Sequence, residues 1–297
     1  MHEDSELMEG LVAQTAVALD KDEQYVVKDY FAVMMLREIT SRNPDVVFKG
    51  GTCLSKCHNA IARFSEDVDL GIPFEHATEG MRKRMKSSVV ESAEALGLLI
   101  PNLDCTRSRR EYNRYEISLP QGAFAEDVLL VETAVMTPAS PCEMKELQSF
   151  IVQLLCSKGL GAMAEELHLD AFEVRANSME RTFADKVFAI CDYYLSGEIP
   201  DRQSRHIYDL YKLLSLVELD QEMAELIAKV RDQRKGKNRC PSAEDGVSIS
   251  RTLREIASTH PYKADYEKLT TRLLYEKVSY EEALGAIPVI ADFLESA

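Results

Sequence analysis

The stretch FKGGTCLSKCHNAIARFSEDVDLGI, residues 48–72, decides how the first half of this chain is interpreted. It places two consecutive glycines before a short run of helix-like composition and follows that run with Ser-Glu-Asp-Val-Asp-Leu. Three acidic side chains within four residues, close to Phe64, Val68 and Leu70, are costly unless something compensates their charge. The segment is therefore either an exposed turn or a site for a cation.

The acidic part of this stretch has the period of a β-strand. Residues 67–72 alternate acidic and apolar side chains, so Asp67 and Asp69 project to one side while Val68 and Leu70 face the core. Two neighbouring carboxylates repel each other, and a divalent cation removes the conflict. Mg²⁺ prefers one or two carboxylates together with waters and substrate phosphates, which an Asp-x-Asp pair on a strand can provide.

The Gly50-Gly51-Thr52 turn supplies a complementary feature. Glycines allow backbone N–H groups to approach a phosphate closely, and the helix expected over residues 52–62, with Thr52 as its N-cap, adds partial positive charge. The pattern is neither a P-loop nor the dinucleotide-binding G-x-G-x-x-G. Each half is a weak signal alone, but a glycine turn and an acid pair separated by one helix are together a much stronger indication of a site for phosphate and a divalent cation.

Composition restricts the function classes. The chain has 297 residues, 45% hydrophobic and 29% charged, which is typical of one large or two ordinary globular domains. Its net charge of −15 argues against a surface covered in positive charge that would bind nucleic acid indiscriminately. Three segments, 82–86, 107–114 and 231–239, are nevertheless locally basic. No apolar run is long enough to span a membrane, and an acidic N-terminus with seven scattered cysteines predicts a cytoplasmic protein with reduced thiols.

The order of predicted elements indicates an α/β (α+β) fold: a mixed sheet with flanking helices, followed by a helical C-terminal region. We expect two domains, residues 1–140 and 141–297. The predicted strands are residues 46–48, 67–72, 112–119, 127–135 and 172–176, with a turn at 120–122. The main predicted helices are residues 24–42, 52–62, 78–98, 178–195 and 202–217.

FKGGTCLSK followed by RFSEDVDL closely resembles the signature of the AbiEii/AbiGii toxin family of the nucleotidyltransferase superfamily. The resemblance implies a nucleotidyltransferase-like mixed sheet, a helical region that completes the active site, an NTP substrate and a two-ion Mg²⁺ site. It also implies a third acid on a later strand. Glu132, at mid-strand in VLLVETAV, fits that role, with Asp127 at the strand's start as the rival and a structural Glu132 as the alternative.

The resemblance continues in the second half. ERTFADKVFAI resembles the family segment in which a helix lysine, here Lys186, reaches the phosphates, and RHIYDLYKLL resembles a later helix that supplies Arg205 and Asp209. Taken alone, Lys186 would be read as a lysine extending its stem along an apolar stripe, and Arg205 with Asp209 as a surface i,i+4 pair.

Further nucleotide contacts are expected near the signature. Lys56 lies one helical turn past the glycines, where a triphosphate would rest. Ser65 stands beside the acids and either binds phosphate or caps a turn. In the implied mechanism, Asp67, Asp69 and Glu132 hold the metal, and Asp209 activates the acceptor or positions a cation.

For function, the resemblance implies the toxin of a toxin–antitoxin or phage-defence system, with a cognate antitoxin and growth inhibition by nucleotide transfer to RNA, most often tRNA. The basic segments that begin at Arg82 and Arg107 would line the acceptor groove. Two alternatives stay open: transfer to a small cationic molecule or a protein, and a catalytically idle domain that binds a partner.

Overall fold

The computed structural model describes residues 4–65, 67–120 and 128–296. The chain divides into two compact units, each with its own core. The first comprises Met1–Cys57 and Glu66–Ala176, and the second comprises His58–Ser65 and Asn177–Ala297. The second unit therefore includes the short connector between the glycine turn and the acidic strand.

A mixed sheet forms the centre of the first unit, and its six described strands lie in the order β3-β4-β2-β1-β6-β5. Strand β1 pairs with β2 in antiparallel and with β6 in parallel orientation, while β4 runs parallel to β2 and antiparallel to β3. The strands are β1 Val47–Lys49, β2 Val68–Gly71, β3 Tyr112–Ser118, β4 Val128–Ala134, β5 Cys142–Leu147 and β6 Phe172–Asn177.

Helices flank this sheet because their apolar stripes need a partner. The helices of the first unit are α1 Ser5–Leu19, α2 Glu23–Arg42, α3 Gly50–Lys56, α4 Glu79–Ala95, α5 Phe150–Ser157 and α6 Gly161–Glu166. One continuous core joins Met35 of α2 and Val89 of α4 to strand residues such as Leu70, Tyr115 and Val131, all almost fully buried. Tyr115 and Val131 are register partners on one face of the sheet, and that face packs into the core that α2 and α4 share.

The second unit is helical around its own core. Its helices are α7 Met179–Ser196, α8 Arg205–Leu214, α9 Gln221–Arg234, α10 Ile249–Thr259, α11 Lys263–Lys268, α12 Tyr280–Leu284 and α13 Ala286–Ser296. Ser178 caps α7 by accepting the backbone N–H of Arg181, and Gly197 ends it in the left-handed conformation that glycine adopts without strain. Within the described ranges, no helix is long and apolar enough to cross a membrane.

Most predicted elements appear within a few residues of their expected bounds, but the helix predicted over 52–62 is wrong in extent. Helix α3 already begins at Gly50 and ends at Lys56. Asn59, three residues later, has a φ of 50°, a left-handed conformation that an α-helix cannot continue through.

The second half differs more from expectation, because residues 141–176 were assigned to a helical domain. Strand β6 matches the strand predicted over 172–176, but β5 was not predicted, and the first compact unit extends to Ala176. Strand β5 has the sequence CEMKEL and lies at a sheet edge, where most of its side chains are exposed or half-buried. Its sequence therefore lacks the apolar alternation that predicts a strand. The predicted turn at 120–122 falls largely outside the described residues.

Candidate active site

The glycine turn and the acidic strand meet at Gly50. This residue has a φ of 78°, and a Cβ atom built on it would lie 1.9 Å from Oδ2 of Asp69. No L side chain fits that distance, so position 50 requires glycine for its backbone conformation and for the space that the carboxylate occupies. The two halves of the signature are thus in direct contact.

Thr52 fixes the same arrangement from inside α3. Its hydroxyl donates a hydrogen bond of 2.5 Å to the backbone carbonyl of Asp67. The expectation that Thr52 is the N-cap is wrong, because the helix begins two residues earlier and Lys49 occupies the N-cap position. The hydroxyl instead ties the helix to the entry of β2.

Strand register brings the second and third acids side by side. Asp69 of β2 is the partner of Glu132 on β4, and the two strands are parallel. Their side chains therefore share one face of the sheet, while Val68 and Val131 share the other and are fully buried. Mid-strand placement of Glu132 between buried neighbours agrees with the sequence analysis, whereas the rival Asp127 lies outside the described residues.

The acids nearby affect the pKa of Glu132. Burial raises the pKa of Glu132, and the charges of Asp69 and Asp67 raise it further. The hydroxyl of Tyr112 donates a hydrogen bond to Glu132 and partly offsets the increase in the pKa of Glu132. Burial and the nearby Glu132 charge in turn raise the pKa of Tyr112. The carboxylates thus carry a conflict of like charge that a cation would relieve.

The donor set suits a hard divalent cation. Carboxylate oxygens are the ligands that Mg²⁺ uses, with one or two per ion and the rest from water or phosphate. In the part of the chain that the structure describes, no three His, Cys, Asp or Glu side chains are assembled as a complete metal site. The pair Asp69 and Glu132, with the cradle at Gly50, fits an ion that takes its remaining ligands from substrate and water.

Lys56 lies elsewhere than expected for a phosphate ligand. Its ammonium forms a 2.6 Å ion pair with Asp29 of α2, and both side chains are almost fully buried. It also lies 4.1 Å from the ring centroid of Phe150, whose backbone N–H donates to the same aspartate. These contacts give Lys56 a packing role in the first unit, and its use by a nucleotide stays a prediction.

A buried charge cluster lies in the second unit. Arg63 donates two hydrogen bonds to the carboxylate of Asp209, at 2.7 and 2.8 Å, and Lys186 pairs with the same carboxylate at 2.5 Å. All three side chains are buried, and Asp209 is fully enclosed. Lys186 and Asp209 were expected site residues, but nothing in the sequence indicated that they meet each other or Arg63.

The protonation states follow from this geometry. Burial alone would raise the pKa of Asp209, but the charges of Arg63 and Lys186 outweigh it and hold that pKa well below its ordinary value. Burial lowers the pKa of His206, as do Lys186 and Arg205, so this imidazole is neutral. It lies 3.2 Å from the Lys186 ammonium, which donates to Nδ1. Asp209 is thus the anion between two cations, Arg63 and Lys186, which its carboxylate orients.

Two other predicted residues belong to the second unit. Arg205 begins α8 and contributes charge to the cluster around Lys186 and His206. Ser65 is half-buried at the end of the connector. Their roles as nucleotide ligands stay predictions.

Three residues of the acidic face were missed by the sequence analysis. Tyr112 donates to Glu132, Arg114 is the register partner of Glu132 on β3, and Lys49 is the register partner of Asp69 on β1. Period-two alternation in Tyr-Asn-Arg-Tyr-Glu would place Tyr112 and Arg114 on one face. It cannot reveal which strand lies beside β3, so it gives no link to Glu132.

Comparison with known protein families finds a family model that matches residues 35–286. The family is described as the nucleotidyl transferase AbiEii toxin of type IV toxin–antitoxin systems. The chain belongs to this family. No curated protein matches the chain.

Membership confirms the resemblance and the fold expectation. The mixed sheet with flanking helices is a nucleotidyltransferase-like architecture, and the match extends across both compact units. This AbiEii-family chain is a nucleotidyltransferase toxin, a class that implies a nucleotide substrate and a cognate antitoxin.

Replacing Gly50 with alanine should disrupt the acidic face, because the new methyl group would occupy the position of the Asp69 carboxylate. We expect Gly50→Ala to lower the melting temperature well below that of Gly97→Ala. Gly97 has a similar positive φ of 67° but open space around it, so it reports backbone strain alone. Equal melting temperatures for the two variants would show that Asp69 does not need this space.

Replacing Asp209 with asparagine would leave Arg63 and Lys186 buried without an anion, at a cost of about 3–5 kcal/mol at pH 7. The folded-state pKa of Asp209 is depressed, so its contribution is complete above the unfolded value of about 3.9 and is lost as pH falls below it. Urea unfolding should therefore show a stability gap between wild type and Asp209→Asn that narrows in acid.

The matched control for this variant is Asp292→Asn, which removes a carboxylate from an exposed pair with Arg254. It should unfold close to wild type at all pH values. A gap for Asp209→Asn as small as that of the control would contradict a buried, charge-compensating role.

Proposed function

We propose that this toxin transfers a nucleotide from an NTP to an RNA acceptor of the tRNA class, with a divalent cation, and thereby inhibits growth in a toxin–antitoxin or phage-defence system. The observation that carries the proposal is the approach of Asp69 to the backbone of Gly50, beside Glu132. A phosphate-binding turn and a pair of carboxylates placed together are what phosphoryl-group chemistry requires.

The acidic face would hold the metal. Asp69 and Glu132, assisted by Asp67, would bind Mg²⁺, with a two-ion site as the fuller expectation. When bound, the metal lowers the pKa of the attacking hydroxyl and neutralises charge on the α-phosphate and the departing pyrophosphate. The hydrogen bond from Tyr112 holds the Glu132 carboxylate in place for this task.

The turn would hold the nucleotide. Backbone N–H groups of Gly50, Gly51 and Thr52 are the donors proposed for the β- and γ-phosphates, and the absence of a side chain at Gly50 brings that backbone next to the acids. Thr52 contributes through its bond to the Asp67 carbonyl, which keeps the turn and the acidic strand at a fixed spacing.

In the second unit, Lys186 is the proposed phosphate ligand and Arg205 a further positive charge. Of the two roles considered for Asp209, positioning is favoured over activation of the acceptor. Its depressed pKa makes it a weak base, and its oxygens already accept from Arg63 and Lys186. Lys56 and Ser65 complete the proposed nucleotide contacts.

An RNA acceptor is favoured over a small molecule by the basic segments of the first unit. The segment around Arg82 on α4 and the loop around Arg107 converge, because Lys86 donates to the carbonyl of Thr106. A cationic small molecule would be repelled at such a surface. A cytoplasmic location, where NTP and tRNA are present, belongs to the same proposal.

The test is to incubate the protein with Mg²⁺, total cellular RNA and each α-³²P-labelled NTP in turn. We expect label on a discrete RNA band with one NTP, and a loss of about 100-fold or more in Asp67→Ala and Asp69→Asn. Asp104→Asn, which changes an exposed acid of the first unit, is the matched control and should label like wild type.

Label on protein instead of RNA would reject the RNA acceptor. The absence of label from every macromolecule would reject it as well, provided that the protein and the control variant are folded. Label on RNA that survives in both acidic-face variants would reject the assignment of the site.

A further inference from the structure

The two edges of the described sheet differ in how their backbone groups are satisfied. At the β3 edge, Asn102 accepts the N–H of Glu116 at 3.0 Å and donates to the carbonyl of Arg114 at 3.1 Å. The N–H of Ser118 donates to the carbonyl of Leu99 at 2.9 Å. These contacts cap the outer side of β3 and protect it from pairing with a further strand.

The β5 edge has no equivalent cap in the part of the chain that the structure describes. Successive residues of a strand turn their backbone N–H and C=O groups to alternate sides, so at least one of Met144, Lys145 and Glu146 directs these groups away from β6. Among the described residues, no side chain or loop forms a hydrogen bond with the backbone of these three. The outer side of β5 is therefore available to another strand.

The side chains of β5 have a symmetric pattern around Met144. This methionine is 52% exposed. Glu143 and Lys145, on either side of it, lie on the opposite face of the strand and form a 3.2 Å ion pair with each other. An acid and a base at equal distances from a central residue make the strand self-complementary for antiparallel pairing.

Register decides which side chains would meet if two copies of β5 paired. A twofold axis perpendicular to the sheet makes the strands antiparallel and keeps opposing side chains on one face. Centring the pair on Glu143 would oppose two carboxylates, and centring it on Lys145 would oppose two ammonium groups. Centring it on Met144 sets each Glu143 opposite the partner's Lys145 and brings the two exposed methionines together.

We propose that a second copy of this chain pairs with β5 in the register centred on Met144, so that two sheets join into one. The twofold axis directs the acidic faces of both copies to the same side. Strand β2 lies three strands from β5, about 14 Å at the usual strand spacing, so the interface leaves Asp69 and Glu132 uncovered. The proposal is independent of the transferred nucleotide and of its acceptor.

Sedimentation velocity of the full chain tests the proposal. One pair of short strands buries less surface than a standard interface, so we expect a reversible dimer with a Kd of about 1–100 µM. Lys145→Glu opposes two carboxylates at two positions of the dimer, and Glu143→Lys opposes two ammonium groups in the same way. Each should raise the Kd about 10-fold or more.

The two variants also provide a rescue. Glu143→Lys combined with Lys145→Glu in one chain restores opposite charges in the same register, so this double variant should dimerise like wild type. A mixture of the two single variants should form a heterodimer more tightly than either variant forms a homodimer, because every charged pair is then complementary. A structural role for the intrachain ion pair alone predicts no heterodimer.

Lys83→Glu is the matched control, since it makes the same charge change at an exposed residue of α4 that pairs with Glu79. It should dimerise like wild type. Circular dichroism of each variant establishes that it is folded.

A wild-type protein that stays monomeric up to about 200 µM would overturn the proposal, since β5 would then be an edge that Lys145 protects from pairing. A dimer that neither single variant weakens, or that the control weakens equally, would place the interface elsewhere. Folded single variants that fail to associate when mixed would overturn the register.

Discussion

Repulsion between carboxylates is the constraint on which the rest of this molecule depends. Parallel pairing of β2 and β4 sets Asp69 beside Glu132, and the neighbouring charges together with burial raise the pKa of Glu132. A fold that needed only stability would not set two carboxylates side by side, and the neighbouring Arg114 offsets only part of the rise in the pKa of Glu132. The glycine at position 50 leaves the space that Asp69 occupies. The hydroxyl of Thr52 donates to the carbonyl of Asp67 and so holds α3 against the start of β2. The fold thus holds two carboxylates together at a position where a bound cation would stabilise them and could also contact a triphosphate.

The second unit contains a different arrangement of buried charge. Its buried cluster contains two cations and one anion, and the short connector that precedes the acidic strand supplies Arg63 to it. Removing one partner from such a cluster costs more than the cluster contributes over an apolar core. The cluster therefore specifies how the connector, α7 and α8 pack together, and it holds the Lys186 ammonium between Asp209 and a neutral His206.

Local pattern predicted the parts of this structure that local chemistry determines. Alternation in Asp-Val-Asp-Leu predicted both the strand and the shared side of its acids, and the apolar neighbours of Glu132 predicted its mid-strand position. Pairings between distant segments were not available from one sequence. Arg63 and Asp209 lie 146 residues apart in the sequence, and neither segment contains a pattern that predicts their contact. Edge strand β5 was not predicted because its side chains are largely exposed and follow no apolar period. For the same reason, the expected boundary at residues 140 and 141 falls short of the end of the first compact unit.

The proposed mechanism requires the acidic face to bind a divalent cation next to the glycine turn. Anomalous diffraction from crystals soaked with Mn²⁺ and a non-hydrolysable NTP analogue tests it most directly. We expect an anomalous peak about 2.0–2.3 Å from carboxylate oxygens of Asp69 and Glu132, with the phosphates of the analogue at the Gly50 turn. Manganese bound only at other acids, or an ordered analogue with no metal at this face, would contradict it.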